Sequence, residues 1–466
     1  MSDRLLNLYH RLPAPMRSGA ASLRGLRLRA WRYGPETERL VSEALERDDW
    51  SAADWQSYQE DRLSGVLHRA ATRVPYYREQ WARRRRNGDR ASWEYLENWP
   101  VLEKEDLRRD AQSFVADDCD RSRMFHVHTS GTTGKPLDMW HCKATARSWY
   151  ALFEARCRRW NGLSRNDRWA ILGGQLITPV ATRRPPFWVW NMALNQLYMS
   201  SYHLASDLIA NYADALKRYQ IRYLYGYTSA LYELALHMIE ADRRDIEMSV
   251  VLTNAEPVFD YQRRAIEEAF HCPVIETYGM AEMAAGASAC SGGAMHLWPE
   301  VACLETIQHT EGSASSELVS TGLLNPDMPL IRYRVGDRVS LSNAQHACEC
   351  GRGLPVLESI EGRSDDILYT SDGRRIGRLD PVFKVDLPVK EAQIVQEALD
   401  VVRVRYVPAS GFTRASGLSI VERLQARMGN VRVILEEVES LPRGANGKFR
   451  AVICNIAAEP GEGQKR

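Results

Sequence analysis

The chain has 466 residues, 44% of them hydrophobic, with 61 basic and 60 acidic side chains. That length exceeds one ordinary core and predicts a large domain with a smaller companion, while the near-cancelling charge excludes a global electrostatic footprint for nucleic acid. No apolar run approaches the roughly 18 residues that cross a bilayer, no secretory signal pattern is present, and nine mostly scattered cysteines, an odd number, argue against a disulfide framework. The expectation is a soluble, cytoplasmic protein with reduced thiols, monomeric or homodimeric.

Residues 1–34 hold seven arginines and one acid, Asp3, with Leu5, Leu6, Leu8, Leu23, Leu26 and Leu28 among them. Such a segment either lies on an anionic membrane or packs its leucines on the main domain and leaves its arginines in water. Pro13 and Pro15 interrupt the first helix, and packing is the expectation. The part up to residue 121 reads as mostly helical, with apolar residues near a 3.6 period over Tyr58 to Trp81 and around Leu102 to Phe114. Arg83 to Arg86 before Asn87-Gly88 read as a solvated helix C-terminus.

Thr129-Ser130-Gly131-Thr132-Thr133-Gly134-Lys135-Pro136 reads as a phosphate cradle. Glycines bring backbone N–H groups up to an oxyanion, hydroxyls add donors and the lysine brings a mobile positive charge. Only Thr132 and Thr133 separate the glycines and Pro136 follows the lysine, so this is not the P-loop of NTPases. Short apolar strands then alternate with helices: Trp169 to Leu172, Tyr223 to Tyr225, a helix through about Ala241, Val250 to Leu252, a helix from Phe259 to Phe270, and Val274 to Thr277. That order predicts a mostly parallel sheet with helices on its faces, binding ligands beyond the carboxyl ends of its strands, where Asn254-Ala255-Glu256 and Tyr278-Gly279-Met280-Ala281-Glu282 emerge.

Beyond about Pro299 the pattern becomes β-rich, and Gly362-Arg363-Ser364-Asp365-Asp366 introduces a segment of different texture. A strand at Val401 to Tyr406, a helix near Leu418 to Met428 and a strand at Val431 to Leu435 predict a small α+β domain. The expected division is 1–363, a large domain, and 364–466, a small C-terminal lid. Singly, the later motifs are weak: Tyr278 and Glu282 suit purine stacking and magnesium, Asp337 and Arg363 suit ribose, and Gly444 to Lys448 place a lysine on a glycine-rich loop.

Together and in this order, the runs 129–136, 278–282, 333–337, 362–366 and 442–448 resemble the adenylate-forming enzymes, over about residues 95 to 455. Val74-Pro75-Tyr76-Tyr77, Tyr225-Gly226-Tyr227-Thr228-Ser229, Pro329 to Tyr333 and Cys348-Glu349-Cys350-Gly351-Arg352 are similar to the phenylacetate–CoA ligase branch and its CapK-like members. The resemblance implies an α/β fold: a large domain of parallel sheets flanked by helices with a β-rich subdomain, and a small mobile α+β domain. It implies an enzyme that uses ATP and magnesium to convert a carboxylic acid, aryl or small acyl, into an acyl-adenylate. The acyl group would then pass to a thiol, CoA first, or alternatively to an amine, a hydroxyl or a carrier protein. A non-catalytic nucleotide-binding scaffold is the rival from another class.

By that resemblance, Ser130, Gly131, Thr132, Thr133, Gly134 and Lys135 would hold phosphates, with Thr133 and Glu282 reaching magnesium. Ala255, Glu256, Pro257, Tyr278 and Gly279 would line the adenine, and Asp337 and Arg363 would bind ribose. Asp365 would be the hinge, Lys448 the adenylating lysine, and the Asp372-Gly373 turn would face a pantetheine channel. Tyr225, Tyr227, Met280 and Ala281 would form the acyl pocket, closed by Trp140. Separately, Cys290, His296, Cys348 and Cys350 could give a structural zinc a closed tetrahedral set, although spacing alone does not bring them together; Cys303 reads as an ordinary strand residue.

Overall fold

The computed structural model describes residues 3–128, 137–179, 181–256, 258, 260–307, 316–341, 348–361, 368–371, 375–376, 382, 387–409, 411–439, 441 and 452–456. The chain opens with helices α1 (Asp3–Arg11), α2 (Ala14–Arg32), α3 (Thr37–Glu46), α4 (Ala52–Arg73), α5 (Pro75–Arg86) and the short α6 (Lys104–Arg109). The periodicity over Tyr58 to Trp81 belongs to two helices, because Pro75 forces Val74 into an extended conformation (φ −95°, ψ 115°) and then opens α5 at its first turn. The four arginines fill the last turn of α5, as its dipole favours.

A hairpin follows, β1 (Phe125–His128) against β2 (Asp138–His141), and then α7 (Lys143–Phe153). Next come β3 (Trp169–Gly173), β4 (Trp188–Asn191), β5 (Gln196–Ser200), α8 (Ile209–Arg218), β6 (Tyr223–Tyr227), α9 (Thr228–Glu240), β7 (Val250–Asn254), α10 (Asp260–Phe270) and β8 (Val274–Gly279). The antiparallel run is β9 (Gly286–Ala289), β10 (Met295–Leu297), β11 (Ala302–Ile307), β12 (Ser316–Gly322), β13 (Tyr333–Leu341) and β14 (Val356–Glu361).

Among the described residues, β3 to β14 form one sheet of twelve strands in the order 11-12-13-14-10-9-8-7-6-3-5-4. Its middle, 5-3-6-7-8, is parallel, as expected of strands joined by crossover helices. From β8 onward each neighbour is antiparallel. The β-rich part therefore begins at Gly286, earlier than the sequence pattern suggested, because the small residues Gly286-Ala287-Ser288-Ala289 carry little periodic signal. Buried runs such as Val250-Val251-Leu252 match a sheet covered on both faces.

The remaining strands form separate small sheets: β15 (Leu368–Tyr369) with β16 (Arg375–Ile376), then β17 (Val389–Ala398), β18 (Val401–Pro408), β19 (Arg432–Glu437) and β20 (Val452–Cys454), with α11 (Arg414–Met428) before β19. A four-stranded sheet in the order 19-18-17-20 packs on α11 around Ile394, Val402, Val404, Ile420 and Leu424. Helix α11 starts four residues earlier than its apolar pattern, where Thr413 and Ser416 form a capping box. This is the expected α+β unit; its expected boundary after residue 363 falls outside the described residues.

At the N-terminus the structure reverses an expectation. Leu5, Leu8, Leu23 and Leu26 are 56–72% exposed, whereas Arg17 is 8% exposed and donates to Ile177 O (3.0 Å) and Thr178 Oγ1 (2.7 Å). Helix α2 approaches β4 so closely that a Cβ on Gly25 would overlap the Asn191 amide. Small and polar residues thus occupy the inward face, and these four leucines are left outside; Leu6, Leu12 and Leu28 are half-buried.

Candidate active site

A cleft of about 860 Å³ opens where the parallel half of the sheet meets the antiparallel half. Its floor is made by the exits of β7 and β8, Asn254 to Glu256 and Tyr278 to Met283, with Asp337 arriving from β13. Sheet topology forces the crevice: β8 pairs parallel with β7 and antiparallel with β9, so the chain must turn back at 280–285. Both exits carry left-handed non-glycine residues, Ala255 (φ 65°) and Met283 (φ 51°), each costing about 1 kcal/mol or more that the surroundings must offset. Phe125, Val127 and His141 line the cleft as well, so the β1–β2 pair forms part of its wall.

The polar side is a set of paired carboxylates. The Tyr278 hydroxyl donates to Asp337 Oδ2 at 2.7 Å. Glu282, 9% exposed, accepts from the Tyr333 hydroxyl at 3.3 Å and lies 3.7 Å from Lys104 Nζ. Glu256 is held differently: its carboxylate accepts from the Ser229 backbone N–H (2.7 Å) and the Ser229 hydroxyl (3.1 Å), an anion on the first turn of α9. That leaves its backbone, beside Ala255, as the part that shapes the wall. Burial lowers the His141 imidazole to about 4 and raises the Tyr225 phenol well above its ordinary range, so both are neutral near pH 7.

The opposite wall is aromatic: Trp149, Tyr150 and Phe153 from α7, Trp31 from α2, Tyr225 and Trp298. A Cβ on Gly279 would stand 3.2 Å from the Trp149 ring, so glycine there sets the width of the cleft beneath that ring. Of the residues expected at the site, Ala255, Glu256, Tyr278, Gly279, Met280, Ala281, Glu282, Asp337 and Tyr225 line this one cleft.

Two expected pocket residues do not line it. Trp140 is 9% exposed on β2 and stacks flat on His126 (centroids 4.6 Å apart, planes 4° apart), which holds it in the core under the hairpin. Tyr227 stands at the junction of β6 and α9 and packs against the core cluster beneath β3 and β5. Conversely, sequence reasoning missed Lys104, His141, Trp149 and Tyr150 as wall residues, since helix periodicity does not say which cleft a helix will face. Asn254 was placed beyond its strand but given no role; its Oδ1 is buried without a hydrogen-bond partner among the described residues, the kind of orphaned acceptor a ligand donor satisfies. Ser130, Gly131, Thr132, Thr133, Gly134, Lys135, Pro257, Arg363, Asp365, Asp372, Gly373 and Lys448 lie outside the described residues.

The four candidate zinc ligands do converge. The ligand atoms of Cys290, His296, Cys348 and Cys350 all lie within 4.8 Å of one another, although 58 residues of sequence separate Cys290 from Cys348. Cys290 Sγ and Cys348 Sγ are 3.7 Å apart, too far for a disulfide. A tetrahedral ion with metal–sulfur bonds of about 2.3 Å has sulfur–sulfur edges of roughly 3.8 Å. His296 is fully buried and burial lowers its imidazole; its Nδ1 faces Leu354 O at 3.2 Å and its Nε2 faces Cys350 Sγ at 3.3 Å. A neutral ring that donates from Nδ1 to a carbonyl and leaves Nε2 for an ion is the usual outer-shell arrangement of a metal histidine. Desolvation raises the Cys348 thiol to about 11, a cost that a bound cation would remove. Trp160 packs edge-on against His296 and donates to Asp48, which with Glu300 flanks the buried Arg156.

The chain shares its fold with solved acyl-CoA ligases. 2-Hydroxyisobutyryl-CoA ligase, solved with 2-HIB-AMP and CoA in the thioesterification state, superposes with a TM-score of 0.54 over 88% of this chain and 91% of that one, at 21% identity. In its postadenylation state the TM-score is 0.53. The chain's sequence relatives include CapK and phenylacetate–coenzyme A ligases. Protein CapK of Staphylococcus aureus is 25% identical over 390 residues, covering 82% of this chain and 85% of that protein. The phenylacetate-coenzyme A ligase of Thermus thermophilus is 24% identical, covering 90% and 99%. Residues 368–455 match the family model of the CapK C-terminal domain. These findings support an enzyme of the ligase type.

Proposed function

We propose that this chain activates a carboxylic acid with ATP and passes the acyl group to a thiol, CoA being the first candidate. The observation that carries the reading is the Tyr278–Asp337 hydrogen bond beside Glu282 at the floor of one cleft. The group fits: Tyr278 offers a ring face, Asp337 a carboxylate for sugar hydroxyls, and Asn254 Oδ1 an acceptor for an exocyclic amine. In the first step an oxygen of the substrate carboxylate attacks the α-phosphorus, the bond to the bridging oxygen breaks and pyrophosphate leaves. In the second a thiolate attacks the acyl carbon and AMP leaves with the electron pair. Magnesium, held by Glu282 and Thr133, would neutralise triphosphate charge.

Lys448 takes the role of stabilising charge at the α-phosphorus, with Lys135 and its neighbours holding the outer phosphates. The C-terminal domain swings about Asp365 between the two steps, so that the acceptor replaces Lys448. Arg363 joins Asp337 on the ribose. The wall of Trp149, Tyr150, Phe153 and Tyr225 favours an aryl or small acyl substrate. A second reading keeps adenylation but sends the acyl group to an amine, a hydroxyl or a carrier protein. The match of residues 368–455 to the CapK C-terminal domain favours keeping it, since that is the domain that would meet the acceptor.

The test is pyrophosphate release from ATP and magnesium across aryl, short-chain and amino acids, each with and without CoA. Acid-dependent release with sustained turnover only when CoA is present supports the ligase. Release without CoA-dependent turnover supports the second reading. Folded protein that neither releases pyrophosphate nor binds ATP overturns both.

A further inference from the structure

We infer that the outer face of α1 and α2 is a docking surface for an anionic lipid bilayer. The inference does not depend on the ligase reading. On α2, Met16, Leu23, Leu26 and Ala30 are exposed at spacings of seven, three and four, one stripe of a 3.6-residue helix. Met16 is 57%, Leu23 72% and Leu26 57% exposed, and Leu5 and Leu8 of α1 add 56% and 60%. Met192, 71% exposed, sits beside this stripe, its backbone N–H bonded to Ser22 Oγ at 3.0 Å. Six of the nine large hydrophobic side chains most exposed among the described residues therefore belong to α1, to α2 or to the segment bonded to α2 at Ser22.

Packing explains why they are outside. The inward face of α2 is taken by Arg17 and Gly25 against residues 177–178 and β4, so no leucine can turn in without breaking those contacts. An exposed apolar stripe of this kind normally marks an interaction site.

Charge selects the partner. Residues 1–34 carry seven arginines against one acid, in a chain whose net charge is +1. Arg11, Arg24 and Arg27 are exposed around the apolar stripe, and no ion pair joins them to an acid among the described residues. A helix with leucines outward and arginines beside them suits the boundary of acyl chains and anionic headgroups. Among the described residues no helix is long and apolar enough to cross a membrane, so attachment would be peripheral. The far end of α2 contributes Leu28, Trp31 and Arg32 to the cleft, which would set the cleft beside the lipid surface.

The experiment is flotation of the full chain with vesicles of phosphatidylcholine alone or mixed with phosphatidylglycerol. Expected are binding to the mixed vesicles only, and a fall of about tenfold or more as salt rises from about 0.05 to about 0.5 M. Leu23→Ser with Leu26→Ser should lower binding at least about tenfold while leaving the melting temperature in place, both side chains being exposed. Arg24→Ala with Arg27→Ala should remove the preference for phosphatidylglycerol. Absence of binding, equal binding to both vesicles, or full binding by the leucine variant would overturn the inference. So would light scattering that finds a dimer which only the leucine variant dissociates, since a second copy would then cover the face.

Discussion

The hydroxyl of Tyr278 donates to the carboxylate of Asp337 at 2.7 Å, joining the end of β8 to β13 across 59 residues of sequence. One bond thereby fixes both the ring plane and the carboxylate that the proposal assigns to adenosine. Tyr278→Phe keeps the ring and removes the bond. The expected result is a rise in KM for ATP of about 5–10-fold with little change in kcat, the size of one lost hydrogen bond. Initial rates of pyrophosphate release against ATP concentration check it.

Glu282 is bracketed by the Tyr333 hydroxyl and Lys104. Glu282→Gln keeps its shape and loses its charge. Adenylation is expected to fall about 100-fold or more, with a higher magnesium requirement and an unchanged circular dichroism spectrum. A variant with wild-type magnesium dependence would remove Glu282 from the metal.

The cysteine–histidine cluster makes a prediction that needs no substrate. Purified protein should carry about one zinc per chain by elemental analysis, and Cys348→Ala should lose it with a fall in melting temperature on the order of 5–10 °C. Cys303, on β11 opposite Thr321, is the control: Cys303→Ala should keep the metal.

His141 predicts an acid-side loss of stability. Burial lowers its folded value to about 4 from an ordinary 6.5, so between those values the unfolded chain binds more protons. Its contribution is complete above about pH 6.5 and is lost as pH falls toward 4, up to about 3 kcal/mol. Urea unfolding between these values should show a shallower pH slope in His141→Gln than in the wild type.

Much of this was legible from the chain. Alternation of strand and helix announced the parallel half of the sheet, because crossover connections leave a period that switches between 2 and 3.6. The segments 254–256 and 278–282 followed from the rule that such strands end at the ligand. Where that rule gave way to guesses about side-chain direction, the outcome was mixed: Tyr225 lines the cleft, but Trp140 stacks on His126 and Tyr227 joins the core.

By itself the sequence determined the order of elements, the order of motifs and the residue types available to bind nucleotide or zinc, since these depend on neighbours in the chain. Tertiary structure decided what depends on distant partners. It brought Cys290 and His296 to Cys348 and Cys350 through the pairing of β9, β10 and β14, and carried Asp337 to Tyr278 across the sheet. It also turned Leu23 and Leu26 of α2 outward, because Gly25 and Arg17 had already claimed the side facing β4 and residues 177–178. Helical period marks a stripe as apolar; only packing decides whether that stripe meets protein or solvent.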